Sequence, residues 1–455
     1  MDRTSGSSIR GPKASAVSRR DFLRIVSGLV GGVATASVLA ACAPGAPATP
    51  TSAPAAPAAP AATAAGSAPQ PTAPAAAKSG QVIKIGAPFP LTGPWAENGN
   101  NSLHGVQFGV DAVNADGGIK SMGGAKLQVV SGDVQNDAAL AASVTRKLIE
   151  VDKVSALIGC YLSSFTLTAS TEAEKAKVPM ITNSFVDTLT TRGYKYLFQP
   201  PAKASMMGTA AVTYLKAAAD ASGVKLTKGA NVSSDDANSQ AQARTIGDLA
   251  GKNGIQQLYL DFFTAGLTDA SSIVNKVKSS GADVLFIGGP TPDEILIVRT
   301  LRAMGWNKPV IGSGGGGILT PAFGEALKKA ADGVFGIAAW NWDMPYSGMK
   351  ELNTAFTAKF KDPFIPQESG EAYAFVFMLR DALEANKSAD PTKIRDYLAS
   401  TTFDKVPASL MPGGSVKFDE TGYNIKAESV MIEWKDGLPH GVWPSDVRAM
   451  PAFFG

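Results

Sequence analysis

Residues 155–184 read SALIGCYLSSFTLTASTEAEKAKVPMITNS. Two short apolar runs, 155–160 and 178–182, flank a segment of helical composition that opens with Ser163 and Ser164. Short apolar runs separated by amphipathic segments are typical of β-α-β units whose parallel sheet is buried on both faces. This stretch therefore predicts an α/β fold.

The same alternation continues on both sides of that stretch. Five further runs have the composition of buried strands, at 82–88, 127–132, 258–263, 283–288 and 334–339. Near the end of the chain, 415–419 and 429–434 alternate like antiparallel edge strands. These are more strands than one doubly wound sheet of ordinary size contains, and residues 200–205 interrupt the alternation of strands and helices. We therefore predict two lobes. Ligands of open α/β sheets bind at the carboxyl ends of the strands, so the loops there should face each other across a cleft.

The first 42 residues have the composition of an export signal. The segment 18–23 reads SRRDFL, a twin-arginine motif, and an uncharged, mildly apolar stretch follows at 25–39. That stretch is shorter than the ~20 residues that a membrane-spanning helix needs, which disfavours a spanning helix. We predict that residues 1–42 are a twin-arginine lipoprotein signal peptide.

Leu39-Ala40-Ala41-Cys42 resembles the lipobox of bacterial lipoproteins, in which the cysteine thiol takes a diacylglyceryl group. Cys42 is therefore the predicted lipidation site, which would anchor the protein to the bilayer. Residues 43–80 are almost entirely Ala, Pro, Thr and Ser and predict a disordered tether. The only other cysteine, Cys160, then lacks a disulfide partner and is expected to be a buried apolar residue.

The net positive charge of the chain comes from its N-terminal residues. The first 42 residues hold six of the 42 Lys and Arg residues but only two of the 39 Asp and Glu residues. The remainder is close to neutral and offers no electrostatic basis for binding nucleic acid or anionic lipid. We expect a monomer with no nucleic-acid partner.

Several short motifs resemble the leucine/isoleucine/valine-binding family of periplasmic binding proteins. They keep that family's order and spacing across nearly all of residues 81–440. They are PLTGP at 90–94, Asn98-Gly99, Gly105, Asn114-x-x-Gly117-Gly118-Ile119, LIG at 157–159 with Ser163-Ser164, VPMIT at 178–182, TRGY at 191–194, Gly288-Gly289, Gly305, and the region from Gly413-Gly414 to Gly437.

The resemblance implies a type 1 periplasmic binding protein: two Rossmann-like lobes joined by three crossovers, with a ligand cleft between them. The first lobe would comprise 81–202 and 336–406, and the second 203–335 and 407–440, with a C-terminal tail at 441–455. The implied function is extracytoplasmic capture of an amino acid or similar solute for the permease subunits of an ABC importer. We expect no enzymatic activity, no cofactor and no metal.

Candidate ligand-binding residues are those that lie in loops after the predicted strands or at the start of the predicted helices. Ser163 and Ser164 stand at the predicted start of a helix, where hydroxyls, free N–H groups and the positive helix end can bind a carboxylate. One of them could equally be an N-cap, and the two roles are compatible. The other candidates, each also explicable as a turn-forming residue, are Trp95, Asn98, Asn183 and Ser184 in the first lobe and Asn238, Ser239, Pro290 and Thr291 in the second. Gly314 is a further predicted ligand-binding position.

Two positions depart from the amino-acid-binding pattern. Asn238 falls where the family often has a tyrosine, and Gly314 falls where a glutamate normally pairs with the ligand's ammonium group. A buried ammonium without a counter-charge costs several kcal/mol. Either another acid replaces the glutamate, or the ligand is an amide, a urea-like compound or an aromatic carboxylate instead of a branched-chain amino acid. The candidate acids are Glu97, Asp187 and Glu371.

Two alternative functions remain. Residues 312–317 match the pattern GxGxxG, which allows a twin-arginine-exported nucleotide-cofactor enzyme. That interpretation is disfavoured because a run of glycines produces the pattern automatically and no acidic residue closes a following strand at the required distance. The chain has only two histidines, His104, which is expected to be solvated, and His440, which is expected in a turn. Neither belongs to a cluster, so catalysis that depends on histidine is disfavoured. The other alternative is a ligand-sensing lipoprotein that feeds a receptor.

Overall fold

The computed structural model describes residues 81–454. The predicted signal peptide at 1–42, its Cys42 and the predicted tether at 43–80 lie outside these residues. Within 81–454, every helix is too short or too polar to cross a lipid bilayer.

The first sheet has five strands, β1 (Val82–Phe89), β2 (Lys126–Asp133), β3 (Ala156–Ile158), β4 (Met180–Ile181) and β5 (Leu197–Phe198). They are all parallel, in the order β2-β1-β3-β4-β5. The first four strands are linked by α1 (Ala96–Ala115), α2 (Ala138–Glu150) and α3 (Ser163–Ala176). Each of these helices is a crossover between parallel strands, as the alternation in the sequence predicts.

The second sheet begins after α4 (Ala204–Ala221) with β6 (Lys228–Ser234), β7 (Gln256–Phe263), β8 (Val284–Gly288), β9 (Val310–Gly312) and β10 (Val334–Ala338). These five strands are parallel, in the order β10-β9-β8-β6-β7. Four helices connect them in turn: α5 (Ala237–Ala250), α6 (Ser271–Ser280), α7 (Thr291–Ala303) and α8 (Pro321–Leu327).

The rest of the chain returns to the first sheet and then to the second. Three helices, α9 (Met349–Phe360), α10 (Gln367–Asn386) and α11 (Pro391–Ser400), precede the short antiparallel pair β11 (Thr402–Phe403) and β12 (Val416–Lys417). The last strands are β13 (Val430–Lys435), which pairs antiparallel with β10, and β14 (Leu438–Trp443), which pairs antiparallel with β13. The α/β fold with two parallel-centred sheets agrees with the prediction, and the chain passes between the lobes three times.

Helix α10 packs closely on α1 in the first lobe. The Ser369 hydroxyl donates to the carbonyl of Asn101 at 2.6 Å. A Cβ added at Gly105 would overlap the Ser369 backbone, so only glycine allows these two helices to approach so closely. This contact fixes α10, and the buried side chains that it carries, against α1.

The strands change lobe later in the chain than the predicted boundaries. β10 belongs wholly to the second sheet, although the first lobe was expected to resume at residue 336. Residues after 406 stay with the first lobe: the Phe418 ring packs on Phe198 with centroids 4.9 Å apart, and Gln199 forms a β-bridge with Tyr423. Short apolar runs do not specify which of two sheets a strand joins, which explains the difference.

The C-terminal residues belong to the second lobe. β14 runs to Trp443, and the Glu433 carboxylate accepts the N–H groups of Phe453 and Phe454 at 2.8 and 2.7 Å. The segment expected to be a tail from residue 441 therefore packs along the sheet. We propose a first lobe of 81–201 and 340–424 and a second lobe of 202–339 and 425–454.

Two local predictions have clear outcomes. β13 is not an edge strand, because it pairs with β10 on one side and β14 on the other. Cys160 is fully buried and unpaired within the described chain, and burial raises the pKa of its thiol, so it is an inert core residue as predicted.

Candidate functional site

The carboxyl ends of the two sheets face a common cleft, which we call the interlobe cleft. Its volume is about 710 Å³. Its first-lobe wall contains Trp95, which follows β1, and Leu162, Ser164 and Phe165 around the start of α3. Its second-lobe wall contains Asp235, Asp236, Gln240 and Arg244 from the end of β6 and from α5, and Thr264 after β7. This is the position expected for a ligand of open α/β sheets, and the volume suits a small organic molecule.

The two lobes touch each other behind the interlobe cleft. The Thr291 hydroxyl of the second lobe lies 3.4 Å from the Asn98 Oδ1 of the first. The Tyr161 hydroxyl of the first lobe donates to the carbonyl of Gly315 in the second. The Phe185 ring lies so close to Gly315 that a Cβ at this glycine would overlap it. The two walls are therefore held in contact by polar and aromatic groups.

The two serines of the quoted stretch have different environments. The N-cap of α3 is Leu162, with no side-chain capping bond, so neither serine is an N-cap. The buried Ser163 hydroxyl accepts the N–H groups of Phe185 and Val186, both at 3.2 Å. Ser164 is partly exposed and lines the cleft. The surface of the cleft therefore includes Ser164 but not Ser163.

Of the other first-lobe candidates, Trp95 borders the cleft, whereas Asn98, Asn183 and Ser184 do not. Trp95 is 3% exposed and borders the cleft. Asn98 is fully buried and donates to Glu368 Oε1 at 2.8 Å. Asn183 donates to the Ser102 hydroxyl at 3.0 Å, and the Ser184 hydroxyl donates to the carbonyl of Tyr161 at 2.7 Å. These last three side chains fix the loops behind the cleft wall.

The two departures from the family pattern are joined by one hydrogen-bonded network. Asn238 Nδ2 donates to the carbonyl of Gly314 at 2.9 Å. Gln242 donates to the same carbonyl at 2.8 Å and accepts the N–H of Gly314 at 2.8 Å. Asn238 and Gly314 thus belong to a clamped turn, in which both polar groups of the Gly314 peptide are satisfied by protein.

The remaining second-lobe candidates lie at helix starts. Asp236 is the N-cap of α5, and it accepts the N–H groups of Asn238 at 3.0 Å and Ser239 at 3.1 Å. Pro290 is the N-cap residue of α7, and Thr291 begins the helix at the contact with Asn98. Asp236 lines the cleft, but the candidates Asn238, Ser239, Pro290 and Thr291 are not among the described residues that do.

Two acids lie buried next to the lobe contact. Glu368 and Glu371 are both 0% exposed on α10. Burial raises the pKa of Glu368 to about 7, with the Asn98 hydrogen bond opposing this, and raises the pKa of Glu371 well above its ordinary value. In the described part of the chain, neither Glu371 oxygen has a hydrogen-bond partner. Burial therefore favours the neutral, protonated form of both carboxyl groups.

The other two acids proposed as counter-charges have different roles. Asp187 accepts both the N–H and the hydroxyl of Ser205, at 3.0 and 2.5 Å, which fixes the start of α4. Glu97 is partly exposed in the first turn of α1, and burial is the main cause that raises its pKa. Neither side chain lines the interlobe cleft.

The glycine run does not have the environment of a phosphate-binding loop. Residues 312–317 are all buried, and the run leads into a 3₁₀ turn at Gly317–Leu319 instead of a long helix. His104 stacks on Phe360 at 4.6 Å, half-buried where solvation was expected. His440 lies in β14, not in a turn, 3.0 Å from Asp343. Among residues 81–454 there is no group of three or more side chains suited to hold a metal.

Several important residues were not identified from the sequence. The turn at Gly314 and Gly315, which we call the glycine turn, is contacted by Tyr161, Phe185 and Gln242. These residues lie 70 or more positions away along the chain, so no local pattern reveals the contacts. Arg244 is an exposed helix residue that carries no signature of its own. Asp236 did leave a signal, since an aspartate before a helical segment is a strong N-cap candidate.

A model of the family described as "Periplasmic binding protein" matches residues 82–437. The chain belongs to the periplasmic binding protein family. Among curated relatives, the Leu/Ile/Val-binding protein homolog 7 of Brucella suis is 27% identical, over 81% of this chain and 93% of its own length. Homolog 8 of Brucella abortus is 29% identical, over 80% of this chain and 91% of its own.

Solved structures of periplasmic binding proteins have the same fold. The branched-chain amino acid transporter substrate-binding protein LivJ of Streptococcus pneumoniae, solved in complex with isoleucine, is 27% identical with a TM-score of 0.69. The match covers 79% of this chain and 98% of that protein. The leucine-binding protein LivK of Thermotoga maritima, at 22% identity and a TM-score of 0.67, covers 79% and 97% and supports the fold alone. The predicted family and two-lobed fold are confirmed.

Proposed function

We propose that this chain is the lipid-anchored, extracytoplasmic substrate-binding protein of an ABC importer. As a monomer it binds one small organic solute between its lobes and delivers it to the permease subunits, without enzymatic activity. The observation that carries the proposal is the cleft of about 710 Å³ at the facing strand ends of two lobes. Relatives that match over most of both chains are named as Leu/Ile/Val-binding proteins, which supports a branched-chain amino acid or a related solute as ligand.

Lobe closure is the means by which such a site gains affinity. The contacts of Asn98 with Thr291 and of Tyr161 with Gly315 join the lobes in the closed arrangement. Ligand that touches both walls favours closure by its differential affinity for the closed state. The predicted ligand-binding residues remain part of this proposal, with Trp95 and Ser164 in direct reach of the cleft and the others supporting its walls.

Membrane anchoring is proposed from the sequence. Acyl chains on Cys42 would hold the protein at the bilayer, since each buried CH₂ contributes about 0.8 kcal/mol. Residues 43–80, which are almost entirely Ala, Pro, Thr and Ser, would then link the anchored Cys42 to the two lobes.

The experiment that tests this function is solute uptake by the source cells. Cells lacking the chain are expected to take up the transported radiolabelled solute at least tenfold more slowly, in a panel of branched-chain amino acids, their deaminated carboxylates and their amides. Replacement of the gene restores uptake. A Cys42→Ala chain should bind the same solute in vitro but appear in the soluble fraction, because it lacks the acyl anchor.

The control is a Cys160→Ala chain, which removes a buried thiol and should stay in the membrane fraction. Unchanged uptake of every solute in the deletion strain would contradict the importer proposal. Unchanged uptake together with the loss of a transcriptional response to one solute would establish the sensing alternative instead. A Cys42→Ala chain that stays with the membrane would contradict lipid anchoring alone.

A further inference from the structure

The two lobes meet at two polar contacts, and a buried acid lies behind each of them. In the first contact, Asn98 Oδ1 of the first lobe faces the Thr291 hydroxyl of the second at 3.4 Å. Behind it, Glu368 Oε1 accepts from Asn98 Nδ2 at 2.8 Å. Both Asn98 and Glu368 are 0% exposed. Asn98 thus links the Glu368 carboxyl group of the first lobe to the surface of the second.

The second contact has the same arrangement with the lobes exchanged. The Tyr161 hydroxyl of the first lobe donates to the carbonyl of Gly315 in the second. Glu294 of α7 lies against the next residue of the chain, since a Cβ added at Gly316 would meet Glu294 Oε1 at 3.0 Å. Glu294 Oε2 accepts the N–H of Ile318 at 2.6 Å, and the side chain is 0% exposed. In the closed protein, one buried acid therefore lies on each side of the lobe contact.

Neither acid has the partners that an ionised carboxylate needs. Across residues 81–454, Glu368 Oε2 and Glu294 Oε1 find no hydrogen-bond partner. In the same part of the chain, neither side chain belongs to an ion pair. A buried carboxylate without a counter-charge costs several kcal/mol. The geometry of the closed state therefore favours the protonated form of both groups.

The titratable groups around Glu368 are acids and a tyrosine. Glu371, also 0% exposed, lies beside it on α10, Glu97 faces it from α1, and Tyr161 faces it from the loop after β3. Burial is the main cause that raises the pKa of Glu368 to about 7; the Asn98 hydrogen bond opposes this, and the charge of Glu97 adds to it. Among the described residues, no basic side chain lowers this pKa.

Glu294 has a similar set of neighbours in the second lobe. Asp293 precedes it on α7, and Asp236 faces it from the start of α5. Burial raises the pKa of Glu294 well above its ordinary value; the N–H of Ile318 opposes this, and the charges of Asp293 and Asp236 add to it. Tyr161 faces Glu294 as well as Glu368, so the two acids lie around one hydroxyl at the lobe contact.

Opening of the lobes would bring water to both contacts. Water solvates a carboxylate, so the pKa of each acid would fall toward its ordinary value of 4.5. A carboxyl group whose pKa is higher in the closed state takes up a proton when the lobes close. Ligand affinity is then greatest at acidic pH, falls as the pH rises between the open-state and closed-state pKa values, and levels off above the closed-state value.

We propose that closure of the lobes on the ligand is coupled to proton uptake by Glu368 and Glu294, so that the protein binds its solute more tightly at acidic than at neutral pH. This inference rests on the proposed function and describes how pH regulates the same site. Each carboxylate takes its proton from water on closure and returns it on opening. A rise in pH therefore favours opening and release of the solute.

Isothermal titration of the full-length chain with leucine and with 4-methylpentanoate, its deaminated carboxylate, tests the inference. Each titration is repeated at pH 6 in two buffers that differ in ionisation enthalpy, which gives the number of protons taken up per bound ligand. Because pH 6 lies between 4.5 and about 7, Glu368 alone should contribute about one proton. The compound that binds should also bind about fivefold or more weakly at pH 7 than at pH 6.

The variants assign the protons to the two acids. Glu368→Gln retains an oxygen that can accept from Asn98 but cannot take up a proton, so it should lower the uptake by about one proton and flatten the pH dependence. Glu294→Gln should lower the uptake as well. Glu351→Gln, which changes an exposed glutamate of α9, is the control and should give the uptake of the parent chain.

The outcomes separate this inference from the proposed function. Binding of either compound without proton uptake, or with proton release, would overturn the inference while the binding function stands, and this result needs only the parent chain. An uptake that is the same in both glutamine variants as in the parent chain would also overturn it. Binding of no member of the uptake panel would overturn the proposed function, and the inference with it.

Discussion

Replacement of Gly315 by alanine is expected to weaken ligand binding about a hundredfold, or about 3 kcal/mol. The added Cβ would overlap the Phe185 ring of the first lobe, so the lobes could no longer approach to their closed distance. Apparent affinity falls with the fraction of molecules that can close. Isothermal titration with the solute identified by the uptake panel measures the effect.

A matched control separates closure from backbone strain. Gly315 has φ +74° and Gly281 has φ +75°, but a Cβ at Gly281 meets nothing within 4 Å. Both substitutions carry the same left-handed penalty of about 1–2 kcal/mol, so both should lower the melting temperature. Only Gly315→Ala should lose affinity, and the additional change Phe185→Ala should restore part of it. Equal affinity in the two glycine variants would show that the Phe185 contact does not limit closure.

Glu368→Gln is expected to stabilise the protein by about 3 kcal/mol at pH 8 and to have little effect near pH 4.5. Burial raises the pKa of Glu368 from 4.5 to about 7, so the folded state binds a proton that the unfolded state releases. A raised pKa contributes stability that is fully present below pH 4.5 and is lost as the pH rises through 7. The shift of about 2.5 pKa units corresponds to about 3 kcal/mol, and glutamine retains an oxygen that can accept from Asn98.

Chemical unfolding at several pH values between 4.5 and 8 checks this prediction. The difference in unfolding free energy between the glutamine variant and the parent chain should grow with pH and level off above 7. Glu351→Gln, which changes an exposed glutamate of α9, is the control and should show no such trend. A constant difference across the pH range would mean that Glu368 does not change its protonation state on folding.

Most strands of the two sheets were predicted from apolar runs, but β5, β6, β9 and β14 were not, and β6 is the longest of these. Its sequence, Lys228–Ser234, contains Gly229, Asn231 and Ser233, which lower the apolar signal. It nevertheless lies between β7 and β8, and its buried Asn231 is satisfied by donating to the carbonyl of Ala243 on α5 at 3.1 Å. A polar strand can be central when the neighbouring helix accepts its hydrogen bonds, and this depends on tertiary contacts.

The candidate site was predictable in position but not in the roles of its residues. The rule that ligands bind at the carboxyl ends of strands predicted where the cleft lies. Two of the residues that it singled out, Trp95 and Ser164, line the cleft. The same rule could not show that Asn238 clamps Gly314, or that Phe185 fills the space beside the glycine turn. Those roles arise because closure brings segments from different lobes together.

The measurement that most directly tests whether the chain binds a solute between its lobes is hydrogen–deuterium exchange of the full-length protein. It would be recorded alone, with 4-methylpentanoate and with leucine. With the compound that binds, slower exchange is expected in both 161–166 and 235–242, which lie on opposite walls of the interlobe cleft. Protection confined to one wall, or no protection with either compound, would contradict the account.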